Sequence, residues 1–144
     1  FYKQRGERKV DDVINELTGR LKITNALTVS DKDVFIASGV LKGYGYAIWR
    51  TSLDFEGAEQ IVTGLSGCCG QMDIRCCEDG IFVAENSRKR VIQYDREGKK
   101  LASWGEGDRN GGSGAKFGGC CNPMNLCFGP SGEVLTAESE GYIK

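Results

Sequence analysis

Two pairs of adjacent cysteines are the residues of this sequence best suited to chemistry. Cys68 is followed directly by Cys69, and Cys120 by Cys121, so the two pairs stand 52 residues apart. Thiols can bind metals, exchange disulfides or attack electrophiles when they lose their proton. Because both pairs recur at the same spacing as other features of the chain, we expect them to occupy equivalent places in a repeated structure.

Three chemistries are open to these four thiols. A vicinal disulfide within each pair would close a strained ring, because adjacent Cα atoms lie about 3.8 Å apart and bridged cysteines usually need about 4.4–6.8 Å. Such a ring would offer a ligand a stiff, apolar sulfur surface, or act as a relatively oxidising redox centre. Four converging thiolates would instead suit Zn²⁺, Cu(I) or an iron–sulfur cluster, although zinc ligands usually come as C-x₂₋₄-C. Bridges that staple neighbouring repeats are the third possibility, and we favour the vicinal disulfides.

We expect the other three cysteines to lie outside the site formed by these two pairs. Cys76 and Cys77 form a third adjacent pair, with Cys76 at a position that favours a buried small apolar residue. A third vicinal disulfide between them is the alternative. Cys127 is left as an odd thiol.

A repeat of about 50 residues must position these cysteines. Gly80 corresponds to Gly132 at a spacing of 52, and residues 84–85 correspond to residues 137–138 at a spacing of 53. An upstream copy over residues 27–38 matches the sequence 47 residues further on. A period near 50 is typical of propellers and solenoids.

The middle copy predicts four short strands, a number that favours a propeller blade over a solenoid coil. These strands are Met72–Cys76, Ile81–Glu85, Val91–Asp95 and Leu101–Trp104. β-Branched and aromatic residues favour strands, and the loop over residues 96–98 contains the glycine typical of a hairpin. Four antiparallel strands of this kind form one blade of a β-propeller.

Residues 117–126, 130–139 and 80–95 resemble the NHL-repeat pattern. The resemblance implies a β-propeller, most commonly six-bladed, and covers roughly residues 21–144. We therefore expect an all-β partial propeller of about three four-stranded antiparallel blades, at 21–66, 67–116 and 117–144, with the last truncated. Glu85 and Glu138 stand where the family often has Asp, and we expect each to hold the turn that follows it.

Residues 1–20 are predicted to form a short amphipathic helix or arm. Val10, Val13, Ile14 and Leu17 share one helical face, and Gly19 can end the helix. A helix that docks against the propeller is favoured over one that binds a membrane surface. The remaining blades are expected to come from further sequence or from another chain, because three blades leave strand edges uncovered.

The expected site lies at the mouth of the propeller's central funnel. Both cysteine pairs precede the predicted first strand of a blade, which is the innermost strand of a propeller. We predict ligand-binding roles for the cysteine pairs and for Asn122 beside Cys121. Arg88 is a further candidate, which could hold a carboxylate or a sugar acid, but an ion pair with a nearby acid such as Glu85 or Asp95 is favoured for it. The favoured function is a binding or interaction module for a small molecule, a carbohydrate or a protein. The alternative is a redox-active, metal-binding or iron–sulfur enzyme that uses the same cysteines as an oxidoreductase or lyase.

The amino-acid composition argues against several other classes of active or binding site. The chain has no histidine, so it cannot supply a Ser-His-Asp or Cys-His site. Zinc-dependent amidating lyases with an NHL-type propeller rely on histidine ligands, which this chain does not contain. A net charge of −1 gives no basic face for nucleic acid, and no apolar stretch is long enough for a membrane span. Seven cysteines favour an oxidising, periplasmic or secreted location, and we assign no cofactor.

Overall fold

The computed structural model describes residues 21–108, 114 and 116–144, and these residues fold into β-strands joined by short turns. The first sheet has the antiparallel order β1-β2-β3-β4, and the second has the order β5-β6-β7-β8. The strands of the first sheet are β1 (Lys22–Val29), β2 (Asp33–Gly39), β3 (Tyr46–Ser52) and β4 (Glu59–Leu65). Those of the second are β5 (Asp73–Cys77), β6 (Gly80–Glu85), β7 (Arg90–Tyr94) and β8 (Lys100–Trp104).

Shorter elements complete the described chain. A 3-10 helix at Asn86–Arg88 links β6 to β7, and β9 (Glu106–Gly107) pairs in parallel with β10 (Lys116–Phe117). The third sheet contains β11 (Asn125–Phe128) and β12 (Val134–Ala137), paired antiparallel. Beyond β12 the chain turns back, so that Ala137 forms an isolated antiparallel bridge with Ile143.

The predicted all-β class and its four-stranded antiparallel sheets are confirmed. In the middle copy, each predicted strand lies within one residue of the observed one at both ends. The helix predicted over residues 1–20 lies outside the described residues. Within the part of the chain that the structure describes, no helix is long and apolar enough to cross a bilayer.

The second sheet is buried on both faces and forms the middle layer of a stack. Ile81 and Val83 of β6 pack into a core shared with the first sheet. Phe82 and Ala84, which point to the opposite face, pack with Leu126 and other residues of the third sheet. Successive side chains of a strand point to opposite faces of the sheet. The single apolar run of β6 therefore packs against the first sheet on one face and the third sheet on the other. Each fully buried side chain of this kind contributes about 1.5–3 kcal/mol.

The first strands of the three sheets lie side by side. The Cys76 N–H of β5 donates to Thr28 Oγ1 of β1 at 3.2 Å, which joins the first sheet to the second. The Leu126 N–H of β11 donates to the buried Asp73 carboxylate of β5 at 2.8 Å, which joins the second sheet to the third. Because β5 and β11 are neighbours, the loops that lead into them are brought close together.

An ion pair between the first two sheets should make stability depend on acidic pH. The Arg96 guanidinium donates to both carboxylate oxygens of Asp33, with Nη2 2.9 Å from Oδ1, and this lowers the pKa of Asp33 from its ordinary 3.8. Because the pKa of Asp33 is lower in the folded than in the unfolded protein, the ion pair contributes fully to stability at pH values above the unfolded-state pKa. That contribution is lost as the pH falls through the folded-state pKa. We therefore expect unfolding by denaturant to become easier below about pH 4. Asp33→Asn should lower the free energy of unfolding at neutral pH and reduce its dependence on pH below about pH 4. An unchanged dependence on acidic pH would contradict the role assigned to this ion pair.

Candidate metal centre

The two cysteine pairs lie in the loops that lead into β5 and β11. Residues 68–71 form a tight turn, closed by a 3.0 Å hydrogen bond from the Gln71 N–H to the Cys68 carbonyl. Its central residues Cys69 and Gly70 have φ of 54° and 70°, the signs of a type I′ turn. Cys121, the residue equivalent to Cys69, also has a positive φ, 62°. Non-glycine residues in this region cost about 1–3 kcal/mol each and are concentrated at functional sites.

These loops bring all four sulfur atoms together, as predicted from the repeat. The Sγ atoms of Cys68, Cys69, Cys120 and Cys121, called the cysteine cluster below, all lie within 4.8 Å of one another. Across the two loops, the Cys121 Sγ lies 3.0 Å from that of Cys68 and 3.2 Å from that of Cys69, and the Cys68 and Cys120 Sγ atoms are 3.6 Å apart. Within the pairs, the Sγ separations are 3.6 Å for residues 68 and 69 and 3.2 Å for residues 120 and 121.

These separations do not match the predicted vicinal disulfides. A disulfide needs an S–S distance of about 2.05 Å. All seven cysteines have free thiols, including Cys76 and Cys77, for which a third vicinal disulfide was considered. Equivalent loops aim both pairs at one point, so each sulfur has neighbours in the other loop as well as its own partner.

The cysteine cluster has the size of a single tetrahedral four-sulfur shell. With metal–sulfur bonds of about 2.3 Å, the sulfurs of such a shell are about 3.8 Å apart. The five separations above run from 3.0 to 3.6 Å, so outward movements of less than 1 Å would admit an ion. The donors are all sulfur, the ligand type that selects zinc, iron or copper over calcium and magnesium.

Burial differs between the four thiols. Cys68 and Cys121 are half-buried, whereas Cys69 and Cys120 are exposed. The neighbouring thiols of Cys68, Cys120 and Cys69 raise the pKa of Cys121 well above its ordinary value. An ion that binds Cys121 must therefore displace a firmly held proton from that thiol.

Buried glutamates at the ends of the hairpins that follow the two loops hold them in the same way. Glu85 accepts from the Ser66 N–H at 2.9 Å, and Glu138 accepts from the equivalent Gly118 N–H at 3.2 Å. The prediction that these glutamates hold the turns after them is wrong for Glu85, whose side chain makes no hydrogen bond to the backbone of the 3-10 helix that follows it. Each glutamate instead anchors the segment that enters its own sheet. This contact depends on the pairing of strands distant in sequence.

The loop of Cys120 and Cys121 has two further braces. Lys89 donates through its ammonium group to the carbonyls of Gly118, at 3.0 Å, and Gly119. Asn122 is fully buried and donates to the Gly118 carbonyl at 2.9 Å, while its own oxygen accepts from the Ser139 N–H at 2.8 Å. Asn122 thus holds the loop behind the cysteines, whereas a ligand-binding role was predicted for it.

The remaining predicted site residues lie apart from the cysteine cluster. Arg88 donates to Glu85 at 2.8 Å and to the Gly64 carbonyl at 3.1 Å, so its guanidinium braces the sheet edge. Cys76 is half-buried against the core of the first two sheets, in part agreement with the predicted buried role, and Cys77 and Cys127 are exposed.

Two supporting residues were not identified as site residues from the sequence. Asn86 accepts from the Cys68 N–H at 2.7 Å and so fixes the first cysteine of its turn. Lys89, in a left-handed conformation with φ of 55°, reaches across to the other loop. The only sequence signal for either is its place after the repeated glutamate, since both contacts cross between segments that are distant in sequence.

Comparison with known proteins adds no relative. No protein-family model matches the chain, and no curated protein matches it. The resemblance to NHL repeats therefore rests on the residues of the sequence alone.

Proposed function

We propose that the chain is a non-enzymatic binding module of the NHL-propeller type that holds one Zn²⁺ ion in the cysteine cluster. The observation that carries the proposal is the convergence of four thiols, from two equivalent loops, within 4.8 Å. Zinc in closed four-coordinate sites is structural, and binding it contributes directly to folding free energy. An ion held by both loops would fasten the second sheet to the third.

The choice of Zn²⁺ follows from the donors and their number. Four sulfurs around one point suit tetrahedral Zn²⁺ or a single iron, whereas an iron–sulfur cluster needs cysteines spread around several metal atoms. Cu(I) also takes thiolate ligands and is a competing outcome of the experiment below. Four cysteine ligands leave no coordination position open for a substrate, which agrees with the non-enzymatic role favoured from the sequence.

The stacking of the sheets supports the propeller interpretation. Consecutive sheets pack face to face, and their first strands lie together, as the innermost strands of consecutive blades would. On this interpretation the cysteine cluster would lie near the mouth of the central funnel. A cavity of about 260 Å³, lined in part by Asn25, Gly70 and Asp73, adjoins the first cysteine loop and offers room for a small molecule.

A metal titration of the reduced protein tests the proposal. Co²⁺ should bind with one-to-one stoichiometry and give the intense sulfur-to-cobalt charge-transfer and visible bands of a tetrahedral thiolate site. One equivalent of Zn²⁺ should remove those bands, since Zn²⁺ binds such sites more tightly than Co²⁺. Absence of the charge-transfer band, or a stoichiometry above one, would contradict a single four-sulfur site. The extracytoplasmic location stays a prediction, which fractionation of the source cells would test.

A further inference from the structure

We propose that the cysteine cluster is a redox-controlled metal site, from which a disulfide oxidant expels the ion by joining Cys69 to Cys121. This inference rests on the proposed function and adds its regulation. The new bond would link the second and third sheets in place of the ion. The cluster would thus have two closed states, one fastened by a metal and one by a disulfide.

The geometry points to Cys121 as the thiol that completes the bond. Its Sγ lies 3.0–3.2 Å from the Sγ atoms of the other three cysteines. A bond to Cys120 would close the strained ring of adjacent cysteines, with Cα atoms about 3.8 Å apart. Bonds from Cys121 to the other loop avoid that ring, so a link between loops is favoured.

Because its side chain is exposed to solvent, Cys69 is the thiol that reacts first with the oxidant. Cys69 is exposed and Cys68 is half-buried. Joining Cys69 to Cys121 also leaves Cys68 and Cys120 as a second pair between the loops, with their Sγ atoms 3.6 Å apart. A second molecule of the disulfide oxidant, reduced in the same way, could then join Cys68 to Cys120 and so use every sulfur of the cluster once.

The reaction balances with a small disulfide such as oxidised glutathione. The Cys69 thiolate attacks one glutathione sulfur, the glutathione S–S bond breaks, and one glutathione thiolate leaves. The Cys121 thiolate then attacks the Cys69 sulfur and displaces the second glutathione thiolate. Two electrons pass from the cysteine sulfurs to the glutathione sulfurs, and both departing thiolates take protons from solvent. The metal stays divalent and leaves because two of its four ligands are lost.

Zinc release and peptide mapping test the inference on the full chain. Zn²⁺-loaded protein would be treated with oxidised glutathione, with release followed by a zinc-sensitive dye and disulfides mapped by unreduced tryptic digestion. Cys68 and Cys69 lie in the tryptic peptide 51–75, and Cys120 and Cys121 in the peptide 117–144. We expect release of one equivalent of zinc together with a cross-link between these two peptides. Loss of two hydrogens within a single peptide, or zinc retained after the cross-link forms, would overturn the inference.

Matched variants assign the thiols. Cys69→Ser and Cys68→Ser each remove one ligand from the same loop, so their effects on the metal itself should be similar. Cys69→Ser should slow cross-linking about tenfold or more, because the exposed attacking thiolate is lost, whereas Cys68→Ser should preserve it. The reverse ranking would overturn the assignment. Cys127→Ser, which removes the third cysteine of peptide 117–144, should leave the cross-link unchanged, and its loss would place the bond elsewhere.

The two proposals fail in distinguishable ways. If the reduced protein takes up no Zn²⁺, the proposed function fails, and the same oxidation of metal-free protein still reports which cysteines pair. If Zn²⁺ binds but oxidation gives vicinal disulfides, the proposed function stands and the redox inference fails.

Discussion

Cys121→Ser is expected to weaken Zn²⁺ binding by about a hundredfold to a thousandfold. Structural Zn²⁺ sites of peptides bind with about 10–16 kcal/mol, so one of four thiolates accounts for about 2.5–4 kcal/mol. Cys121 also lies at the centre of the cluster, with contacts to all three other thiols. Competition with a chromophoric chelator at fixed pH would measure the dissociation constants of the wild type and the variant.

Cys127→Ser and Cys77→Ser are the matched controls for this prediction. Both residues are exposed cysteines outside the cluster, so neither substitution should change zinc affinity by more than about twofold. Equal losses in the control and cluster variants would point to general thiol binding and contradict a defined site. Far-UV circular dichroism of each metal-free variant would show whether the sheets are still folded.

Gly98→Ala is expected to destabilise the protein far more than Gly132→Ala. The two glycines have nearly the same φ, 86° and 85°, so the backbone strain of an alanine cancels in the comparison. A Cβ on Gly98 would lie 2.1 Å from the carbonyl oxygen of Ile61 in β4, whereas one on Gly132 would meet no atom within 4 Å. We expect Gly132→Ala to lower the free energy of unfolding by about 1 kcal/mol, and Gly98→Ala to lower it by about 2–3 kcal/mol more than that.

Urea unfolding of both variants would measure this difference. The clash of Gly98→Ala involves backbone of the first sheet, so relief requires the β7–β8 hairpin to move away from β4. Equal destabilisation by the two substitutions would show that the first and second sheets do not pack as described. Because neither glycine belongs to the cysteine cluster, Gly132→Ala should retain zinc binding.

Much of the fold could be predicted because its signals are local. Turn residues such as Gly80 mark where strands begin, and the continuous apolar run along β6 indicates a strand that is buried on both faces. Copies of one pattern about 50 residues apart then predict equivalent sheets, and equivalence alone led to the expectation that the two cysteine pairs meet. That expectation is confirmed, since a repeated loop in neighbouring sheets places its residues at neighbouring positions.

The details of the site could not be predicted in the same way. The vicinal disulfides were inferred from adjacency along the chain, but adjacency does not reveal that Cys69 and Cys121 adopt left-handed backbone conformations. Nor does it reveal that the Lys89 ammonium group reaches the carbonyl groups that precede Cys120. Such contacts depend on the offset between sheets, which is set by core packing spread over many residues.

The strands, the repeat and the shared position of the paired cysteines can therefore be read from the chain, because turn chemistry and side-chain periodicity act over a few residues. Which sulfur lies nearest to which depends on the packing of the folded protein. Distances of 3.0 and 3.6 Å between the cysteine loops depend on how two sheets stack, and no local pattern encodes differences that small. The choice between strained rings, a metal centre and bridges between sheets depends on those distances.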